Sequence, residues 1–460
     1  MKKMESDVEM KLANLNSDFR FAEDFKKIVE KNQNWVTQNK YIVMVGLVGS
    51  GKSTRAEEIK TYLEDMDKKN GIVRDTVILS SDAIREEITG DVNCQTRNDE
   101  VFSLLHRRIK DNIGKNNVIF DATNLSTKSR IVAMNCVKKF ECFKLCYVMT
   151  TPLNICKRQN ANRERVVPVE VIDKQVRSFQ IPYWEEGWDE IVLDRWPKEV
   201  INGLKVGWNI RDDKDILFKI MTGFNQRNSH HVYTLDEHCW RTAVQVGKRY
   251  WKNRPMMRAA TIHDIGKLYT GELKEDGVNY SYKGHHSYGT YCLLQNIDYL
   301  GFNNLNDVLE CLFYVNYHME PFQWTARDKE GKVKKDESGH EFIKVSTEKK
   351  LRERFGDYKY DALLWFNYCD KLASGTQREG LRKPRDPFKP RPLEEVKQWE
   401  KEANKSNKQR VRENNSLNKK PWKKLSKKQR KKIKKEARLK RKAERRALKA
   451  SQAEDKKEGN

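Results

Sequence analysis

The apolar run Tyr41-Ile42-Val43-Met44-Val45 leads directly into Gly46-Leu47-Val48-Gly49-Ser50-Gly51-Lys52-Ser53-Thr54, and no other feature constrains the fold as much. Five apolar residues without alternation read as a strand buried on both faces, the kind found in parallel sheets covered by helices. The nine residues after it match GxxxxGK[ST] and open into a helix-like stretch over 54–65. Gly46, Gly49 and Gly51 are expected to take positive φ and bring backbone N–H groups close to phosphate oxygens. The helix N-terminus adds a favourable dipole end. Lys52 is spaced to reach the β- and γ-phosphates and Ser53 to offer its hydroxyl to Mg2+, with Ser50 and Thr54 completing the loop. The motif specifies a nucleoside triphosphate but not a reaction.

From 41 to about 195, short apolar strands alternate with helical stretches, at 41–45, 76–80, 117–121, 145–149 and 189–193. That alternation is the pattern of a parallel α/β sheet, whose ligands bind at the carboxyl ends of the strands. We divide the chain into a helical lead-in (1–39), an α/β domain (40–195), a Pro- and Gly-containing connection (196–229), an all-α domain (230–378) and a basic tail (379–460). In the lead-in, Phe21, Phe25, Ile28 and Val29 are spaced to pack on the first strand. The charged stretch 326–348 reads as an exposed insertion with hairpin character.

Polar residues follow the strand ends. Asp82 comes just after strand 76–80, where a carboxylate can take the proton of an attacking hydroxyl; the competing role is a helix N-cap. Arg85, one helical turn on, is placed to hold an anionic acceptor. Asp121 ends strand 117–121, where it can stand behind Ser53 and magnesium. Lys157, Arg158, Arg163 and Arg165 form a basic segment beyond a helix, suited to neutralising a triphosphate or simply to facing solvent.

Together GxxGSGKST, SSDAIRE, DATN and KRQNxxRxxVVP resemble the 5′-OH polynucleotide kinase domain of bacteriophage polynucleotide kinase-phosphatases and bacterial RNA end-healing enzymes, over residues 40–195. The resemblance implies a P-loop kinase using ATP with Mg2+. It makes Asp82 the general base toward a 5′-hydroxyl, Arg85 the grip on the adjacent phosphate and Arg158 the clamp on the ATP phosphates. Small-molecule P-loop kinases share much of this pattern.

Eight of the nine histidines lie at 230–340. His263-Asp264 sits in the apolar helical run AATIHDIGK, and a buried His-Asp pair is costly unless satisfied. Imidazole and carboxylate together suit a hydrolytic divalent metal. The order His238, His263-Asp264, His285, His318, Asp370 resembles the HD phosphohydrolase superfamily, and HVYTLDEH, HDIGK and GHHSYG look close to HD domains attached to RNA-processing enzymes. The resemblance implies that His238, His263, Asp264 and Asp370 bind one metal. It gives His285 and His318 a second, bridged by Asp264, and makes His231 and Lys267 phosphate-binding residues. One or two ions of Mn2+, Ni2+, Co2+ or Mg2+ fit that set.

Of the net charge of +25, residues 376–460 carry 32 Lys/Arg against 12 Asp/Glu, leaving about +5 on the first 375 residues. Residues 419–449 hold 18 Lys/Arg and two acids without a core-forming period, which reads as a disordered segment or a lone helix seeking a polyanion. Nine cysteines without a CxxC, and no apolar run of membrane-spanning length, indicate a reduced cytoplasmic protein without a membrane partner. For a phage-encoded enzyme the compartment is the host cytoplasm. The two resemblances together imply a bifunctional end-healing enzyme for RNA (or DNA) ends. It would phosphorylate 5′-OH ends and remove 3′-phosphate or 2′,3′-cyclic phosphate, with a separate RNA ligase as partner. The alternative is an HD-type nucleotidase whose ATP-binding domain acts on nucleotides or small molecules.

Overall fold

The computed structural model describes residues 25, 27–28, 30–195, 216–228, 230–328, 330–334 and 343–375. Phe21, Val29, most of the connection and the basic tail lie outside these residues. Five strands, β1 (Asn39–Val45), β2 (Thr76–Ser80), β3 (Asn117–Asp121), β4 (Cys142–Met149) and β5 (Glu190–Asp194), form one sheet in the order β2-β3-β1-β4-β5. Every pairing is parallel. β1 lies at the centre, and all of it except Asn39 is buried, as its unbroken apolar run requires. β4 starts three residues earlier than its apolar run because all seven residues of β1 pair along it, recruiting Cys142, Phe143 and Lys144.

The crossover helices are α1 (Lys52–Lys69), α2 (Ser81–Thr89), α3 (Asn98–Ile113), α4 (Thr127–Val137), α5 (Leu153–Ala161) and α6 (Val169–Arg177). On one face of the sheet Phe25, Ile28 and Trp35 pack with Ile42, Met44, Ile59 and Phe143, so the described part of the lead-in docks as its spacing implies. The opposite face faces a larger core that runs on into the second half.

That half contains α7 (Leu235–Tyr250), α8 (Arg254–Ile262), α9 (His285–Gln295), α10 (Leu305–Tyr317) and α11 (Val345–Ala373), the last broken at Gly356 with φ +73°. It is not wholly helical. β6 (Glu272–Leu273) and β7 (Tyr280–Ser281) form an antiparallel ribbon around Asp276-Gly277, where the Asp276 carboxylate accepts from the N–H groups of Val278 and Asn279. Within 326–348, the Arg327–Val333 and Thr325–Ile343 bridges give the insertion the expected antiparallel character; residues 329 and 335–342 lie outside the described set. No described helix is long and apolar enough to cross a membrane.

The two halves meet through buried polar contacts as well as apolar packing. The Tyr317 and Thr127 hydroxyls are 2.7 Å apart, and Tyr317 Oη donates to Ile181 O at 3.1 Å. Asn316 accepts from Ile181 N at 2.8 Å and donates to Phe179 O at 3.0 Å. Beneath them lies a fully buried Arg130–Glu186 pair, bidentate at 2.8 and 2.7 Å. Arg130 also reaches Asn124 O, Leu125 O and Thr127 Oγ1, while Trp188 Nε1 donates to Glu186. Such a pair is costly to break because one charge is left buried and alone. Glu186→Gln should therefore destabilise the protein by roughly 3–5 kcal/mol, read as a shift of the denaturant midpoint at unchanged slope.

Candidate functional site

The carboxyl edge of the sheet builds the first cluster. Strand order reverses around β1, so the loop after it opens at a switch point. Gly49 and Gly51 take φ +73° and +84° as expected, but Gly46 does not adopt positive φ. Gly46 is needed for space: a Cβ there would lie 2.7 Å from Ser50 Oγ and 2.9 Å from Met149 Cβ. At Gly49 both demands apply, because a Cβ would sit 2.3 Å from Cys156 O. The loop is tied down by Gly46 N–H to Thr123 O (3.0 Å), Val48 N–H to Gln175 Oε1 (3.0 Å) and Lys52 Nζ to Leu47 O (2.8 Å).

No described side chain caps the first turn of α1, which leaves its N–H groups available to an anion. Ser50 Oγ is buried without a hydrogen-bond partner among the described residues. Ser53 Oγ donates to Asp121 Oδ2 at 2.7 Å, the pairing expected of a magnesium site. Thr54 is exposed on the first turn of α1. Burial lowers the pKa of Lys52 and Arg163 adds to this, while Asp121, Cys156 and Asp82 act against it.

Asp82 does not cap α2. Ser80 does, accepting from Asp82 N and Ala83 N. The Asp82 carboxylate is therefore free for other work, half exposed and held between Arg85 at 2.6 Å and Arg165 at 2.9 Å. Arg85 is buried, donates also to Asn98 Oδ1 at 3.1 Å, and keeps a buried Nε without a partner among the described residues. The basic segment does not lie wholly beyond a helix. Lys157 and Arg158 are on α5, where Lys157 pairs with Asp173 at 2.7 Å and Arg158 is half-buried. Arg165 is the arginine brought to Asp82, and Arg163 the one whose charge reaches Lys52.

The second cluster comes from five helices and their ends. His238 projects from α7, His263-Asp264 follow α8, His285 opens α9, His318 follows α10 and Asp370 lies on α11. Each histidine directs Nδ1 at a backbone carbonyl: His238 at Ala373 O (3.2 Å), His263 at Ala260 O (3.0 Å), His285 at Tyr282 O (2.8 Å) and His318 at Val315 O (2.7 Å). A carbonyl only accepts, so these bonds place the proton on Nδ1 and turn the Nε2 lone pair inward.

With the imidazoles neutral, the inward atoms are all acceptors. His238 and His263 Nε2 lie 3.0 and 3.6 Å from Asp370 Oδ1 without a directed hydrogen bond. His285 and His318 Nε2 lie 3.0 and 3.5 Å from Asp264 Oδ1 and 3.3 Å from each other. Buried acceptors facing acceptors need a cation between them, and imidazole with carboxylate is a donor set for a divalent transition metal. His238-His263-Asp370 and His263-Asp264-His318 each bring their donor atoms within 4.8 Å of one another, so the residues fit a metal.

The electrostatics agree. Burial disfavours charge on Asp264, yet Lys267, His263 and His285 hold it well below the usual carboxylate range; His238 and His263 do the same for Asp370. Burial also opposes protonation of His238, but Asp264 and Asp370 hold its pKa up to about 9. Burial pushes His318 down to about 4.

His231 and Lys267 meet, with Nε2 and Nζ 3.1 Å apart, and His231 also brings a donor atom within 4.8 Å of His238 and Asp264. Lys267 also reaches Asp264 Oδ2 at 2.6 Å and Gln226 Oε1 at 2.8 Å. His286 stays out of every donor group.

Family and sequence comparisons bear on the first half. Residues 42–182 match the family model described as an AAA domain. Over these residues the chain is similar to that family and has an α/β P-loop kinase fold with a parallel sheet. L-seryl-tRNA(Sec) kinase of Methanococcus maripaludis is 29% identical over 168 residues, 35% of this chain and 63% of that protein. Protein kti12 of Schizosaccharomyces pombe is 25% identical over 154 residues, 32% of this chain and 54% of that protein. The chain thus spans a little over half the length of these curated relatives. The APS kinase CysC structure of Mycobacterium tuberculosis covers 36% of this chain and 98% of its own at 20% identity, with a TM-score of 0.28.

Several supporting residues escaped the sequence reading. Thr123 and Asn124 follow Asp121 in DATN, and Asn124 donates to Met44 O at 2.9 Å. Gln175 and Gln226 carry no local signal at all. The glycine of HDIGK has a steric role: a Cβ on Gly266 would sit 1.9 Å from His285 O, and one on Gly289 would sit 2.9 Å from Gly266 N. This close approach sets α9, and with it His285, against Asp264. Gly266→Ala should weaken Mn2+ binding, measured by calorimetry on the purified protein, by roughly 10- to 100-fold, as loss of ligand support does elsewhere.

Proposed function

We propose that this chain is a bifunctional nucleic-acid end-healing enzyme, an ATP-dependent 5′-hydroxyl kinase joined to a metal phosphoesterase of the HD type. The observation that carries the reading is a pair of complete constellations in one compact unit. One is an acceptor-side carboxylate, Asp82, released from capping by Ser80; the other is the convergent histidine-carboxylate cluster around Asp264. A nucleotide switch has no use for the first, and a simple kinase has none for the second.

In the kinase reaction the N–H groups of the loop and Lys52 hold the β- and γ-phosphates, and Ser53 with Asp121 would hold Mg2+. The acceptor oxygen bonds to the γ-phosphorus as the bond to the β,γ-bridging oxygen breaks, and the hydroxyl proton passes to Asp82. Arg85 binds the neighbouring acceptor phosphate. Arg158, Arg163 and Arg165 supply the positive charge that meets the transferring group. L-seryl-tRNA(Sec) kinase is, by its name, a kinase acting on an RNA-borne group, which supports an RNA acceptor here.

In the second site His238, His263, Asp264 and Asp370 would hold one divalent metal, and His285, His318 and Asp264 another. A bound metal there supplies Lewis-acid stabilisation of phosphoryl charge and activation of water. His231 and Lys267 orient the terminal phosphate, and the buried walls exclude bulk water. The basic tail adds non-specific hold on RNA.

The deciding experiment incubates the protein with γ-labelled ATP and a 5′-OH RNA bearing a 2′,3′-cyclic phosphate, with Mg2+ and then Mn2+ or Ni2+. Label transfer together with loss of the 3′-terminal phosphate is expected. Hydrolysis of free nucleotides with neither end changed would replace this reading by the nucleotidase. Lys52→Ala should abolish label transfer and spare the phosphoesterase, and Asp264→Ala should do the reverse. A variant that loses both activities while folded would contradict two separate sites.

A further inference from the structure

We propose that Tyr291, on helix α9 of the histidine-bearing half, is a positioning residue of the phosphate loop in the kinase half. The inference rests on the nucleotide-binding reading of the loop and on nothing about the acceptor.

Tyr291 Oη donates to Thr151 O at 2.7 Å, and Thr151 Oγ1 donates to Ser50 O at 2.8 Å. Tyr291 and Thr151 are fully buried and Ser50 is 1% exposed, so the relay runs without competing solvent. The orientation of one peptide makes it matter. In a planar trans peptide the C=O and the following N–H point in opposite directions. Drawing the Ser50 carbonyl back toward Thr151 therefore aims the Gly51 N–H the other way, toward the phosphate cradle. A flipped Ser50-Gly51 peptide would present an oxygen to the anion instead.

The same helix touches the loop's other supports. Cys156, whose carbonyl leaves no room for a Cβ on Gly49, has its Sγ 3.8 Å from Tyr291 Oη and 3.5 Å from Thr151 O. Gln175, which holds the Val48 N–H, lies on α6, and that helix ends at Arg177 against Gly284, the residue preceding α9. Phe179 fixes the Tyr291 ring edge-on at 5.3 Å. Tyr291→Phe thus removes one hydroxyl while keeping the packing that holds the helix.

The test measures equilibrium binding of a non-hydrolysable ATP analogue with Mg2+ to the full chain. Tyr291→Phe should bind it roughly 3- to 10-fold more weakly, the scale of one lost buried hydrogen bond. With any accepted hydroxyl substrate, KM for ATP should rise in step while kcat stays within about twofold. Mn2+ binding at the histidine cluster should equal that of the wild type, which a general loss of structure would not allow. Thr151→Val should reproduce the defect and Thr151→Ser should restore binding. The double variant Tyr291→Phe/Thr151→Val should be no worse than Thr151→Val alone, because both act through one chain of bonds. Wild-type affinity in Tyr291→Phe, or additive losses in the double variant, would overturn the inference and leave the loop reading standing. Failure of the wild type to bind the analogue would remove the loop reading and this inference with it.

Discussion

The buried Arg130–Glu186 pair pins one turn of chain on which both candidate sites depend. Arg130 holds the carbonyls of Asn124 and Leu125 and the hydroxyl of Thr127, which fixes the path after β3. On one side of that turn, Thr123 O takes the Gly46 N–H and Asn124 donates to Met44 O, which sets where the phosphate loop begins. On the other side, Thr127 meets Tyr317, the residue before His318. Two fully buried charges are tolerable here because every N–H of the guanidinium has an acceptor and Trp188 completes the carboxylate.

The histidine cluster shows a second constraint, the fixed orientation of its imidazoles. Four imidazoles donate Nδ1–H to carbonyls of their own or adjacent elements, which sets their tautomers and leaves four Nε2 atoms and two carboxylates converging. Acceptors held this close repel unless protons or a metal lie between them. The upward shift of His238 and the downward shifts of Asp264 and Asp370 express that demand for positive charge. Without the Gly266–Gly289 contact, His285 would not come near enough to Asp264 to share in it.

The halves are therefore not two enzymes joined by a tether. Asn316 and Tyr317 anchor the end of α10 in the α/β half, and Tyr291 reaches from α9 to the residue that braces the phosphate loop. Ligands of the histidine cluster stand at the ends of those same helices. One apolar core runs through both halves, so each cluster is braced by residues of the other half.

By itself, the sequence determined what depends on local order. An unbroken apolar run had to be a doubly covered strand, GxxxxGK[ST] after it had to open a helix, and five strand positions came out within three residues of their observed starts. The resemblance carried by HDIGK and the histidines around it pointed to His238, His263-Asp264, His285, His318 and Asp370, which the fold brings into one cluster. Tertiary structure decided what depends on separation. It made Ser80 rather than Asp82 the cap of α2, gave Gly46 a packing role in place of positive φ, and brought Arg165 to Asp82 across a loop. It also set Tyr291 beside Thr151, residues 140 positions apart. A hydrogen bond between such residues leaves no periodicity in the chain, so only the packed interface can reveal it.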